Sequence, residues 1–232
     1  MLELAPAGFE EVDAGGELEL AVFGDELTEG LVRAAFDGPV SSTPIEPGWE
    51  DRWRAFHRPV RAGGLWIGPP WESAPGEETS VVIDPGRAFG TGGHSTTRAC
   101  IELLARTERG SLLDAGCGSG VLAIAAKRLG FGPVVAVDVD PVAVDVAQEN
   151  VGRNGVIVEV RSLDVLEDEL PTTEVVVANL NRALAEKLLD RLEAGVAIAS
   201  GYLTGETPIV RGWRRVDGLA LDGWAADALR RT

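Results

Sequence analysis

Residues that commonly staple or metallate small folds are nearly missing from this 232-residue chain, which has two cysteines, Cys100 and Cys117, and two histidines, His57 and His94. Neither cysteine has a second Cys or a His at the short spacing a metal site uses. A disulfide framework or zinc centre is therefore not expected, and no metal is assigned. Long apolar runs are also missing. Although 45% of residues are hydrophobic, no run approaches the roughly 18 residues of a membrane span, so this apolar content is expected to form a core and not to meet a membrane. The opening stretch MLELAPAGFEEVD has neither the basic nor the apolar region of a secretion signal, which predicts a cytoplasmic protein. Basic charge is scarce: 21 Lys and Arg face 37 Asp and Glu for a formal net charge of −16. Lysine is confined to Lys127 and Lys187. Such a balance repels phosphate backbones and argues against direct nucleic-acid binding. From Met1 to Asp51 thirteen acidic residues stand against Arg33 alone. This segment suits a basic partner, although acidic surfaces also serve plain solubility.

What is present divides the chain. GFEEVDA and ELELAVFG alternate around Gly15 and Gly16, and DELTEGLVRAAFDG follows with helical apolar spacing, which predicts a β-β-α module over residues 1–60. A Pro- and Gly-rich stretch leads into a short helical patch, DRWRAFHRPV. The strand GGLWIG and the turns after it fall in a linker assigned to 61–79. From residue 80 to 232 strands and helices alternate, the signature of βαβ units and a mainly parallel sheet. The last two strands, WRRVDGLALD and GWAADALRR, join through Asp222-Gly223 as an antiparallel hairpin. The fold class is thus α/β: a doubly wound, seven-stranded, Rossmann-like sheet with an antiparallel C-terminal hairpin, plus a small N-terminal α+β module.

The strongest chemical signal is Asp114-Ala-Gly-Cys-Gly-Ser-Gly120, ending an apolar strand just before a helix. Gly116, Gly118 and Gly120 allow a ligand close to the backbone, and the helix start offers unpaired N–H groups. A dinucleotide fingerprint needs glycine at 121, where this chain has Val121, and the departure favours S-adenosylmethionine as the cofactor. Asp138 ends the next strand, where a carboxylate accepts from two ribose hydroxyls. Asp164 stands where it could meet an exocyclic amine of adenine or cap a helix turn. Asn179 ends the fourth strand and should face the ligand crevice, its amide oxygen aligning an amine nucleophile. Upstream, Asp84-Pro-Gly-Arg-Ala-Phe-Gly-Thr-Gly-Gly-His-Ser-Thr-Thr97 reads as a mobile lid. Within it His94 is a candidate base or a capping residue, with solvent as the other proton acceptor.

PGRAFGTGGHSTTR, LLDAGCGSGVLAIAA, VDVDPVAVDVAQENVGRNG, VVANL and ASGYL, in this order, resemble the ribosomal-protein-L11 methyltransferase family. The resemblance runs from residue 80 to 232. It implies methyl transfer to amines of a basic large-subunit ribosomal protein, with S-adenosylmethionine contacted by Thr97, Gly116, Asp138 and Asn179. Asp114, Gly118 and Asp164 complete the expected cofactor set, and Asn179, Phe89 and His94 the expected catalytic set. The resemblance also implies an N-terminal substrate-capturing module, matched here by a segment that includes Trp49 and Trp53. Family members usually carry a further strand and helix ahead of the point where this chain starts, so the module is expected to be shortened. TGETPIVRGW, interrupted by Pro208, replaces a longer helix. A monomer is expected. Methylation of another protein or a small amine is the alternative activity; a cofactor-binding protein without turnover and a nicotinamide oxidoreductase are the other classes, the latter disfavoured by Val121.

Overall fold

The computed structural model describes residues 9–13, 18–22, 26–35, 40–42, 57–76, 79–85 and 88–232. They belong to two compact units, Met1–Arg52 and Trp53–Thr232. In the first, β1 (Phe9–Asp13) pairs antiparallel with β2 (Leu18–Val22), and α1 (Glu26–Ala35) follows, the β-β-α order the alternation predicts. Arg33 is committed locally: Nε meets Glu29 Oε1 at 2.8 Å, and Nη1 donates to Val40 O at 2.9 Å. Ser42 Oγ donates to the other Glu29 oxygen. Trp49 and Trp53 lie outside the described residues, as does most of the helical patch expected over 51–60, whose last residue, Val60, begins a strand.

In the second unit β3 (Val60–Ala62), β4 (Leu65–Gly68) and β5 (Ser80–Val82) form a three-stranded sheet. α2 (Ser95–Arg106) follows, then β6 (Leu112–Ala115), α3 (Val121–Arg128), β7 (Val134–Asp138), α4 (Pro141–Asn154), β8 (Glu159–Ser162), β9 (Val175–Asn179), α5 (Arg182–Arg191), β10 (Val196–Leu203), β11 (Trp213–Leu221) and β12 (Trp224–Arg231). The large sheet has seven strands in the order β11-β12-β10-β9-β6-β7-β8. β10, β9, β6, β7 and β8 are parallel, and β12 and β11 run antiparallel at the edge. This is the doubly wound, Rossmann-like arrangement with its C-terminal hairpin. Strand order departs in both directions from β6, so the junction of β6 and β9 is the switch point at which such sheets open a crevice.

The apolar runs are continuous because both sheet faces are covered. Leu112, Val175 and Val177 pack on one face with α2, α3 and the small sheet, while Leu113, Val176 and Ala178 pack on the other with α5. Each fully buried Val or Leu of this kind is worth about 1.5–3 kcal/mol relative to an exposed one. Residues 204–212 carry no helix, in keeping with Pro208.

The linker expected over 61–79 is not one. Ala62, Leu65, Ile67, Val81 and Ile83 are buried in the same core as α2 and α3. Gly63 turns the β3–β4 hairpin at φ +59°, its N–H donating to Glu102 of α2 at 2.8 Å. Two amides on one face of α4 hold the end of β5 and the chain beyond it. Asn154 exchanges both hydrogen bonds with the main chain of Val82, at 2.8 and 2.7 Å. Asn150 accepts from Asp84 N at 3.1 Å and donates to Ser119 O at 3.0 Å. Among the described residues no helix is long and apolar enough to cross a membrane.

Candidate active site

At the carboxyl end of β6 the chain turns through Gly116 (φ +76°) and Gly118 (φ +51°) into α3. The main-chain N–H groups of Gly116 and Cys117 both donate to Val137 O at 2.9 Å, which ties the loop to β7. Asp138, half-buried at the end of β7, accepts from Gly118 N at 2.9 Å through one oxygen and from Asp140 N at 3.0 Å through the other. Its carboxylate thus braces the glycine loop, each oxygen keeping a further lone pair for a ligand. Val139 beside it is 65% exposed, an apolar face that the sequence did not flag. Asp164 resolves toward its capping alternative, since its Oδ1 accepts from Leu166 N at 2.8 Å; the other oxygen is not used in that cap. An acceptor pair for a diol, an open apolar face and a helix start thus lie together, and this donor set fits S-adenosylmethionine. Replacing Asp138 with alanine should weaken cofactor binding by about 1.5 kcal/mol, roughly tenfold, because a charged acceptor and the loop brace are lost together. Titration calorimetry showing unchanged affinity would remove Asp138 from the cofactor set.

Asp114, expected to contact the cofactor, instead lies beneath the loop. Strand alternation turns it inward, where it is 0% exposed and accepts from Ala123 N at 2.9 Å. Oδ1 is buried without a hydrogen-bond partner. Burial pushes its carboxyl up from the ordinary 3.8 to about 7, with the nearby Asp138 charge adding to the rise. A carboxyl that holds its proton more tightly folded than unfolded contributes stability at low pH. That contribution declines as pH rises from about 4 to about 7. Asp114→Asn, which needs no proton, should therefore gain on the wild type over this window. Urea unfolding at both ends would show it, and an equal stability difference at the two ends would exclude a buried protonated carboxyl.

Asn179 ends β9 at the switch point, half-buried. Its Nδ2 donates to Thr96 Oγ1 at 3.0 Å and reaches Thr97 Oγ1 at 3.4 Å. Both threonines are buried at the start of α2, so Thr97, expected to touch the cofactor, stands behind Asn179 with 1% of its surface exposed. With both Nδ2 protons taken up, Oδ1 is left with no donor among the described residues. His94 is the N-cap of α2, its Nδ1 accepting from Thr96 N at 3.4 Å. His94 thus takes the capping role the sequence allows, and with Nδ1 accepting in the cap a neutral ring carries its proton on Nε2. Its ring packs edge-on against Trp224 at 5.1 Å and Phe89 at 6.2 Å. Phe89 is 74% exposed, and these three rings make a rim.

The loop carrying Phe89 is not a free lid. Ser119 N donates to Phe89 O at 2.9 Å, Ser119 Oγ donates to Gly90 O, and Gly92 packs on Ile67. The structure therefore groups Gly116, Gly118 and Asp138 at the ends of β6 and β7, and Asn179, His94 and Phe89 at the end of β9 and the start of α2. Asp114 and Thr97 lie underneath. Asn150 was missed, although two asparagines four apart in a helix with an otherwise apolar inner face, Asn150 and Asn154, are a legible sign of buried amides.

A family model described as ribosomal protein L11 methyltransferase matches residues 33–224. The chain is 41% identical over 218 residues to the ribosomal protein L11 methyltransferase of Pelobacter propionicus, covering 87% of this chain and 70% of that one. With the relative of the same name from Symbiobacterium thermophilum it shares 41% over 197 residues, covering 78% of this chain and 65% of that one. Among solved structures, ribosomal protein L11 methylase from Lactobacillus delbrueckii subsp. bulgaricus superposes with a TM-score of 0.64 at 26% identity, over 75% of this chain and 99% of that chain.

Proposed function

Because this chain belongs to the ribosomal protein L11 methyltransferase family and is an S-adenosylmethionine-dependent methyltransferase, we propose that it methylates amino groups of ribosomal protein L11, on lysine side chains or the N-terminus. The observation that carries the amine assignment is Asn179 Oδ1, which accepts from no donor among the described residues. An acceptor held at the switch point, with its donor end occupied by Thr96 and Thr97, is suited to an N–H of an attacking amine. The main chain at Gly116 and Gly118, with Asp138, Val139 and Asp164, would hold the cofactor. Bound S-adenosylmethionine supplies an electrophilic methyl carbon on a sulfonium centre. Asn179 Oδ1 accepts a hydrogen bond from one amine N–H and so orients the nitrogen lone pair, which is alignment of the kind that supplies several kcal/mol of a transfer barrier. The amine gives up its proton to solvent, since His94 presents Nε2–H. Phe89, His94 and Trp224 shape the approach at the rim.

The substrate reading rests on what the relatives are named for, together with the acidic balance of residues 1–51, which suits a basic ribosomal protein. We place the reaction in the cytoplasm, carried out by a monomer. Purified ribosomal proteins incubated with the enzyme and methyl-labelled cofactor should gain label in L11, as read by mass spectrometry. Label confined to other proteins, or to small amines added alone, would replace L11 as the acceptor while leaving the chemistry in place.

A further inference from the structure

We infer that Thr96 and His94 are positioning residues whose hydrogen bonds dictate which end of the Asn179 amide faces the acceptor; this rests on the role proposed above for Asn179 Oδ1. An asparagine amide is nearly symmetric in shape, so only its hydrogen-bond partners determine its direction. The direction follows once His94 Nδ1 is the acceptor, in the Nε2–H tautomer. Thr96 N–H points at His94 Nδ1 at 3.4 Å, which makes Nδ1 an acceptor. The same Nδ1 lies 2.7 Å from Thr96 Oγ1. Two acceptors cannot face each other at that distance, so the hydroxyl proton goes to Nδ1. Having given up its only proton, Thr96 Oγ1 offers lone pairs alone to Asn179, 3.0 Å away. The amide must turn its Nδ2 there, and Oδ1 is directed elsewhere.

Reversing the amide would set Oδ1 against the Thr96 lone pairs and present N–H groups to the N–H groups of an incoming amine. Thr96 is 2% exposed, so water does not substitute for the lost bond, and mispairing in a buried site is costly. The exposed end of the relay is held by packing. The His94 ring is flanked by Trp224 and Phe89, and neighbouring Ser95 Oγ donates to Asp222 Oδ2 at 2.6 Å. The tip of the C-terminal hairpin, which carries Asp222 and Trp224, therefore also holds the start of α2 in place.

The test uses the full chain and two readouts. Long-range 1H–15N spectra of 15N-histidine protein should show neutral His94 as the Nε2–H tautomer; with two histidines in the chain, His57→Gln completes the assignment. An Nδ1–H tautomer overturns the relay without any assay of activity. In kinetics with purified L11, Thr96→Val should lower kcat about tenfold while calorimetric affinity for S-adenosylmethionine stays within about twofold, and Thr96→Ser should recover most of the rate. In an Asn179→Ala background Thr96→Val should cost nothing more, because both changes remove one interaction. Full additivity, or a Thr96→Val enzyme as fast as wild type beside a slow Asn179→Ala enzyme, overturns the relay alone. An Asn179→Ala enzyme with wild-type kcat overturns the underlying role of Asn179, and the relay with it.

Discussion

Asn179→Ala should transfer methyl groups about 100-fold more slowly than the wild type, a loss of roughly 2.7 kcal/mol of transition-state stabilisation. The size follows from what is removed: the acceptor proposed to fix the direction of the nucleophile's lone pair, in a site where Thr96 and Thr97 have already taken the amide's donors. The deficit should fall on kcat. Cofactor affinity, measured separately by calorimetry, should change only a few-fold, since among the described residues no hydrogen bond joins the amide to the glycine loop or to Asp138. A variant that turns over L11 at the wild-type rate would strip the end of β9 of its proposed part in the chemistry.

Gly118→Val should lower affinity for S-adenosylmethionine at least 100-fold, for reasons on both sides of the backbone. Gly118 sits at φ +51°, a conformation that costs a non-glycine residue roughly 1–2 kcal/mol and a β-branched one more. A Cβ there would lie 2.5 Å from the main-chain oxygen of Phe89, and a carbonyl cannot move without breaking its bond to Ser119 N. The change should displace both loops, so calorimetry should show binding lost while the circular dichroism spectrum remains that of the folded chain. Gly93→Ala is the control: its added Cβ would meet nothing nearer than Thr91 Oγ1 at 3.7 Å, and affinity should hold. Normal binding by folded Gly118→Val would reduce the loop to a turn.

Much of the sheet was legible because its signals are local. LLDA, VVAVD and VVVAN are apolar runs with no room for a helix between their punctuating glycines and polar ends, and Asp222-Gly223 marks the final hairpin. The site was legible as far as strand ends locate it, which placed Asp138 and Asn179 correctly at the carboxyl ends of β7 and β9. What failed depended on contacts distant in sequence. Gly63-Gly64 and Pro69-Pro70 look like linker punctuation, yet Leu65 and Ile67 between them are buried in one core with α2 and α3. Asp114 carried the right residue type for a ligand contact, but which way a strand residue faces is set by the sheet's register. His94 could be read from sequence as a base or a cap, and its Nδ1 caps α2.

The seam at Ser119 has a bearing on how the two substrates meet. Because Ser119 N and Oγ hold the main chain of Phe89 and Gly90, the proposed cofactor wall and the proposed acceptor wall are one piece. Free energy spent ordering that piece for one ligand need not be spent again for the other. The two binding events are then reciprocal by linkage: whatever factor an acceptor that steadies residues 88–92 adds to cofactor affinity, the cofactor returns to the acceptor in equal measure.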